Sequence, residues 1–130
     1  MKFFSVSVII PLILFIVFLT RNPCAQNGWY SQTSGTESWL QGICFTDIKT
    51  GTVVGREGII LRTSDGGKLW TDQASGTNAV LFDVSFTDGY TGTIAGLGGT
   101  ILRTTDGGSS WISQTSGTAE ALFGISFTSN

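Results

Sequence analysis

The chain contains no histidine. That removes Ser-His-Asp and Cys-His nucleophile systems and every His-ligated metal site. Its two cysteines, Cys24 and Cys44, are too few for a zinc cluster. Cys24 lies at the edge of an apolar leader, so Cys44 stands alone and no internal disulfide is expected. Charged residues are only 12% of the chain and occur singly, the pattern of a solvated surface. Beyond residue 25 five basic side chains face nine acidic ones. No basic stripe is present to neutralise a phosphate backbone, which argues against nucleic acid as a partner. No G-x-G-x-x-G or Walker pattern and no Asn-x-Ser/Thr acceptor occurs. No cofactor and no metal is expected.

The first 25 residues stand apart. Lys2 gives a short positive start, and Phe3 to Leu19 are uncharged and mostly apolar. A polar stretch, Thr20 to Pro23, precedes Cys24 and Ala25. The layout is that of a secretory signal peptide over 1–25, helical while it lasts, and it implies a secreted or periplasmic product. An uncleaved membrane anchor is the rival, since the apolar run approaches the ~20 residues needed to cross a bilayer. After cleavage no membrane-embedded part is expected in 26–130.

What the chain has in abundance is glycine, 18 in all, and a repeat that uses it. Trp29, Trp70 and Trp111 are evenly spaced. Residues 29–69 lie over 70–110 without a gap, and 21 of the 41 positions are identical. A third, partial copy covers 111–130. A period near 40 residues, rich in Gly, Thr and aromatics, is the signature of propeller blades. Each copy divides into four strand-like runs. In the first they are Leu40–Phe45, Thr52–Val54, Ile59–Thr63 and Trp70–Gln73. In the second they are Leu81–Phe86, Thr93–Ala95, Thr100–Thr104 and Trp111–Gln114. The motif T-D-x-x-T-G joins the first two runs, and Gly-bearing hairpins at Gly55–Gly58 and Gly96–Gly99 join the second and third. The middle runs are apolar at adjacent positions, as strands covered on both faces are. The expected fold is all-β: about two complete four-stranded antiparallel blades plus a partial one.

The third and fourth runs are joined by Thr63-Ser64-Asp65-Gly66-Gly67-Lys68-Leu69-Trp70 and Thr104-Thr105-Asp106-Gly107-Gly108-Ser109-Ser110-Trp111. The carboxylate can accept backbone N–H groups of the turn it opens. The glycines can take conformations closed to other residues. The indole can fill the space where blades meet. This S/T-x-D-G-G-x-x-W pattern is similar to the Asp-box, or BNR repeat. Together with the upstream F-T-D-x-x-T-G and G-x-x-G-x-I-L-R-T it resembles the photosystem II assembly/stability factor family, over essentially all of 29–130. The resemblance implies a lumenal, periplasmic or secreted propeller, commonly seven-bladed, that binds partners and does not catalyse. It also implies an arginine-bearing face for partner binding. This chain departs from the family in carrying about two and a half repeats.

Some Asp-box propellers are glycosidases, and those need two acids facing each other across ~5–9 Å. Asp65 and Asp106 are one position repeated, and turn geometry accounts for both; Asp47 and Asp88 follow suit. Glu37, Glu57, Asp72, Asp83 and Glu120 have no partner in register. No catalytic set is visible, and a sialidase- or xyloglucanase-like fragment is the enzyme alternative. Arg62 and Arg103 occupy identical slots. Each either packs its stem in the strand with its head toward a neighbouring blade, or joins a binding surface to which Arg56 could add. Trp39 is specific to the first copy; it either anchors a sugar or a protein partner or, as expected, fills a gap at an end blade. Cys44 shares its slot with Ser85 and Ser126 and reads as a small strand residue, not a reactive thiol.

The expectation is therefore a non-catalytic scaffold for an unidentified protein partner, with a cell-surface adhesion module as a further alternative. Stacked repeats need about three units to hold together. Two whole copies thus read as part of a longer array, with self-association through unpaired blade edges as another outcome.

Overall fold

The computed structural model describes residues 31–127. The leader and its expected signal helix, Trp29 and Tyr30 lie outside the described residues. So do the last three positions of the third copy. Among the described residues no helix is long and apolar enough to cross a membrane.

Each repeat folds as one sheet. The first contains β1 (Leu40–Phe45), β2 (Gly51–Gly55), β3 (Ile60–Thr63) and β4 (Thr71–Gln73). The second contains β5 (Leu81–Phe86), β6 (Gly92–Gly96), β7 (Ile101–Thr104) and β8 (Ile112–Gln114). Both are antiparallel meanders in chain order, the arrangement of a propeller blade. The registers coincide: Thr52 faces Arg62 in one sheet as Thr93 faces Arg103 in the other. A bulge interrupts the first pairing of each, between Leu40 and Gly42 and between Leu81 and Asp83.

The strands follow the expected runs to within a residue at either end. The hairpins are a finer correction. The chain passes from β2 to β3 through a 3-10 turn, Arg56–Gly58, and from β6 to β7 through Leu97–Gly99. Only the last two residues of each turn reverse the chain with positive φ: Glu57 and Gly58, Gly98 and Gly99. A second correction concerns the third copy. Residues 122–127 carry the β1-like pattern but join no ladder among the described residues. Leu122 N–H instead donates to the Gly96 carbonyl (3.0 Å), and Ile125 N–H to Asp83 Oδ2 (3.0 Å).

The core lies between the two sheets. Val54 and Ile60 of the first meet Leu81, Val84, Ile94, Leu102 and Trp111 of the second, with Cys44 and Phe86 at the margin. The inner strands β1 and β5 run side by side. Gly42 is what lets them approach: a Cβ there would stand 2.8 Å from the Asp83 Cα and the Phe82 carbonyl. Cys44 thus serves as a small, half-buried strand residue against the second blade.

Candidate functional site

Each Asp-box is a closed hydrogen-bond knot. Thr63 Oγ1 donates to Asp65 Oδ1 (2.8 Å) and accepts Gly67 N–H (2.9 Å). Asp65 Oδ1 also accepts Leu69 N–H (3.0 Å), closing the loop just before Trp70. The second box repeats this with Thr104, Asp106, Gly108 and Ser110 at 2.7, 2.9 and 2.9 Å. Its Ser110 hydroxyl adds a bond to Asp106 Oδ2 (2.5 Å). The carboxylate does accept amides of its own loop, but from four residues on; the second glycine's amide goes to the threonine. Thr63 and Thr104 are 1% and 2% exposed and are the hubs. The motif already names this position, two before the aspartate in both copies, but the sequence alone does not show that it is the hub.

The T-D-x-x-T-G loop docks on each box. Gly66 N–H donates to the Lys49 carbonyl and Gly107 N–H to the Tyr90 carbonyl, both at 2.8 Å. Asp47 Oδ1 accepts the amides of Lys49 and Thr50, and Asp88 Oδ1 those of Tyr90 and Thr91. All four aspartates are held below the ordinary carboxylate range. For Asp65 the first cause is the Leu69 amide. For Asp106 it is the Ser110 hydroxyl, for Asp47 the Lys49 amide and for Asp88 the Thr91 amide. These acids are ionised and occupied by their own loops, which is unsuited to a general acid that must hold a proton.

The indoles do different amounts of packing. Trp111 is 9% exposed, edge-on to Phe86 at 6.0 Å and part of the shared core. Trp70 is half-buried, edge-on to Phe45 at 6.2 Å.

The three arginines differ in their surroundings. Arg62, near the far end of β3, lies over the second blade's box. A Cβ on Gly108 would meet its Cδ at 3.7 Å, and one on Gly107 its guanidinium at 3.6 Å. Its Nε is buried without a hydrogen-bond partner, as is Trp111 Nε1. Arg103 holds the same strand position and is exposed. Arg56 sits on the 3-10 turn, where its guanidinium carbon lies 4.3 Å from the Trp39 ring centre. Trp39 is 65% exposed. Among the described residues it therefore fills no gap, at an end blade or elsewhere, and Arg56 is what covers its ring.

A third repeated element went unread in the sequence. Ser34-Gly35-Thr36, Ser75-Gly76-Thr77 and Ser116-Gly117-Thr118 stand in one register. In each, the serine hydroxyl donates to the threonine carbonyl and the threonine hydroxyl accepts an amide two residues on. The second of these loops closes over the first blade's 3-10 turn, and the third over the second blade's. A Cβ on Gly58 would stand 1.9 Å from the Thr77 carbonyl oxygen, and one on Gly99 1.9 Å from that of Thr118. Among the described residues no group of three or more Cys, Asp or Glu side chains could hold a metal ion.

The family model described as photosynthesis system II assembly factor YCF48 matches residues 22–111. A solved structure of YCF48 bound to a D1 peptide is similar at 31% identity and a TM-score of 0.61, over 67% of this chain and 30% of its own. YCF48 from Cyanidioschyzon merolae is similar at 32% identity and a TM-score of 0.59, over 65% of this chain and 29% of its own. This chain thus spans under a third of the length of those structures. No curated protein matches it.

Proposed function

This chain belongs to the photosystem II assembly factor YCF48 family, and on that premise we propose that its blades form a non-catalytic scaffold that binds a segment of another protein. One observation carries the reading most directly. The acids that repeat with the fold are engaged by their own loop amides, while a related structure of the same blade type holds a peptide. Such a surface offers rigid strands and turns to a ligand without any group poised for chemistry. We assign the exposed arginines Arg103 and Arg56 to the partner-facing surface and Arg62 chiefly to the joint between blades. The apolar leader supports delivery to a secreted or periplasmic location.

Isothermal titration of the purified chain with a D1 peptide and with unrelated peptides tests this. Saturable binding of a peptide with a dissociation constant below about 100 μM is expected, roughly −5.5 kcal/mol. Turnover of chromogenic glycosides by the same preparation would contradict it and favour the glycosidase alternative.

A further inference from the structure

The two blades differ most where the first exposes Trp39. Over the repeat 21 of 41 positions coincide, yet at this corner none does. Glu37, Ser38, Trp39, Arg56 and Glu57 stand where the second copy has Asn78, Ala79, Val80, Leu97 and Gly98. The five come from two chain segments and together line one cavity of about 380 Å³. We propose that this corner is a docking point for an extended peptide segment bearing Lys or Arg, an inference that rests on the scaffold reading above.

The corner is built and held. Arg56 N–H donates to the Trp39 carbonyl (2.9 Å), and its guanidinium covers one face of the indole. Ser38 Oγ donates to Glu57 Oε2 (3.1 Å). Glu57 adopts φ 59, a left-handed conformation unfavourable for a residue with a side chain; the second copy has Gly98 there, at φ 67. A glutamate is thus kept at a position where glycine fits without strain. The large aromatic is braced on one face by Arg56 before any partner arrives, which lowers the entropic cost of using it as an anchor.

Charge selects the partner. Glu37 and Glu57 border the indole, and the adjoining cavity of about 540 Å³ shares Ser38 and Glu57 and adds Asp72. The one cation, Arg56, is stacked on Trp39. Three carboxylates favour a cation by Coulomb attraction, and the exposed part of the indole accepts an apolar side chain. An alternating sequence of basic and apolar residues would place the apolar groups on the indole and the ammonium or guanidinium groups toward the acids.

The second copy supplies a variant built to fold. Replacing Glu37→Asn, Ser38→Ala, Trp39→Val, Arg56→Leu and Glu57→Gly together installs residues already accommodated by the same backbone one blade later. The parent and this exchange variant, each as the full chain, are titrated with a fluorescein-labelled peptide of alternating Lys and Leu. The matching Glu/Leu peptide and a xyloglucan oligosaccharide serve as competitor ligands. Thermal melting checks the fold. Trp39→Val alone provides a second readout, because a Trp39 emission shift should accompany binding in the parent and vanish there. Binding of the Lys/Leu peptide that weakens at least tenfold in the exchange variant, and that weakens with added salt, is the expected result. Equal binding by both chains overturns the assignment of the corner and leaves the scaffold reading standing. Preference for the Glu/Leu peptide or for the oligosaccharide overturns the partner chemistry. Failure of the parent to bind either peptide overturns the docking point, while the D1-peptide titration above decides the scaffold reading separately.

Discussion

Thr63 and Thr104 show how much one hydroxyl can organise. Each is buried, donates to the box aspartate and accepts the second glycine's amide. Thr104→Val keeps the shape and deletes the hydroxyl, so the Gly108 amide is left buried without a partner. A loss of about 1–3 kcal/mol in urea denaturation is expected. The aspartates add a pH dependence whose sign is fixed by their hydrogen bonds. Their folded-state values lie below the ordinary 3.8, so the contribution is complete above that pH and is lost as pH falls through the folded value. The melting temperature should hold from neutral pH down to about 5 and drop in strong acid. Asp106→Asn should flatten that acid limb more than Asp65→Asn, because Ser110 adds a hydroxyl bond to Asp106 that Leu69 cannot supply to Asp65.

At the scale of the element, the seryl-glycyl-threonyl loop and the 3-10 turn form a latch between successive blades. Gly58→Ala meets both a positive φ and the Thr77 carbonyl, and should cost more than about 2 kcal/mol in a thermal or urea melt. Gly117 has the same backbone sign but nothing within 4 Å, so Gly117→Ala should cost only the conformational penalty of about 1 kcal/mol. The latch was hidden in the sequence because its contacts join residues about 20 apart in different repeats. The strands, by contrast, were legible, since the period fixed their register and apolar runs marked the covered ones. So was the box, whose bonds span no more than five residues. The run 122–127 has the same pattern as β1 and β5 yet forms no strand, because pattern supplies the side chains of a strand and only a neighbouring ladder supplies its hydrogen bonds. The Trp39–Arg56 pair could have been suspected from the copies, as the place where aromatic and charged residues replace small ones. Its geometry could not, since the two residues reach each other only through the bulge and turn of the fold.

Across the whole molecule, the joint between blades determines whether two sheets behave as one body. Arg62 and Arg103 are identical in sequence position and differ in surroundings: one lies over the next blade's box, the other is exposed. Arg62→Ala should therefore destabilise by about 1–2 kcal/mol through lost packing of its stem, and Arg103→Ala by less than about 0.5 kcal/mol, read by urea denaturation. Sequence-identical residues with unequal costs would locate the joint without reference to any partner. The most direct test of the account is amide hydrogen exchange at Gly67 and Gly108, the two buried amides that the box threonines hold, together with the indole N–H of Trp111 between the blades. All three should exchange slowly and be released together in one cooperative opening. Exchange of the glycine amides at the rate of an open loop, or of the indole independently of them, would contradict an Asp-box clip and a shared core between blades.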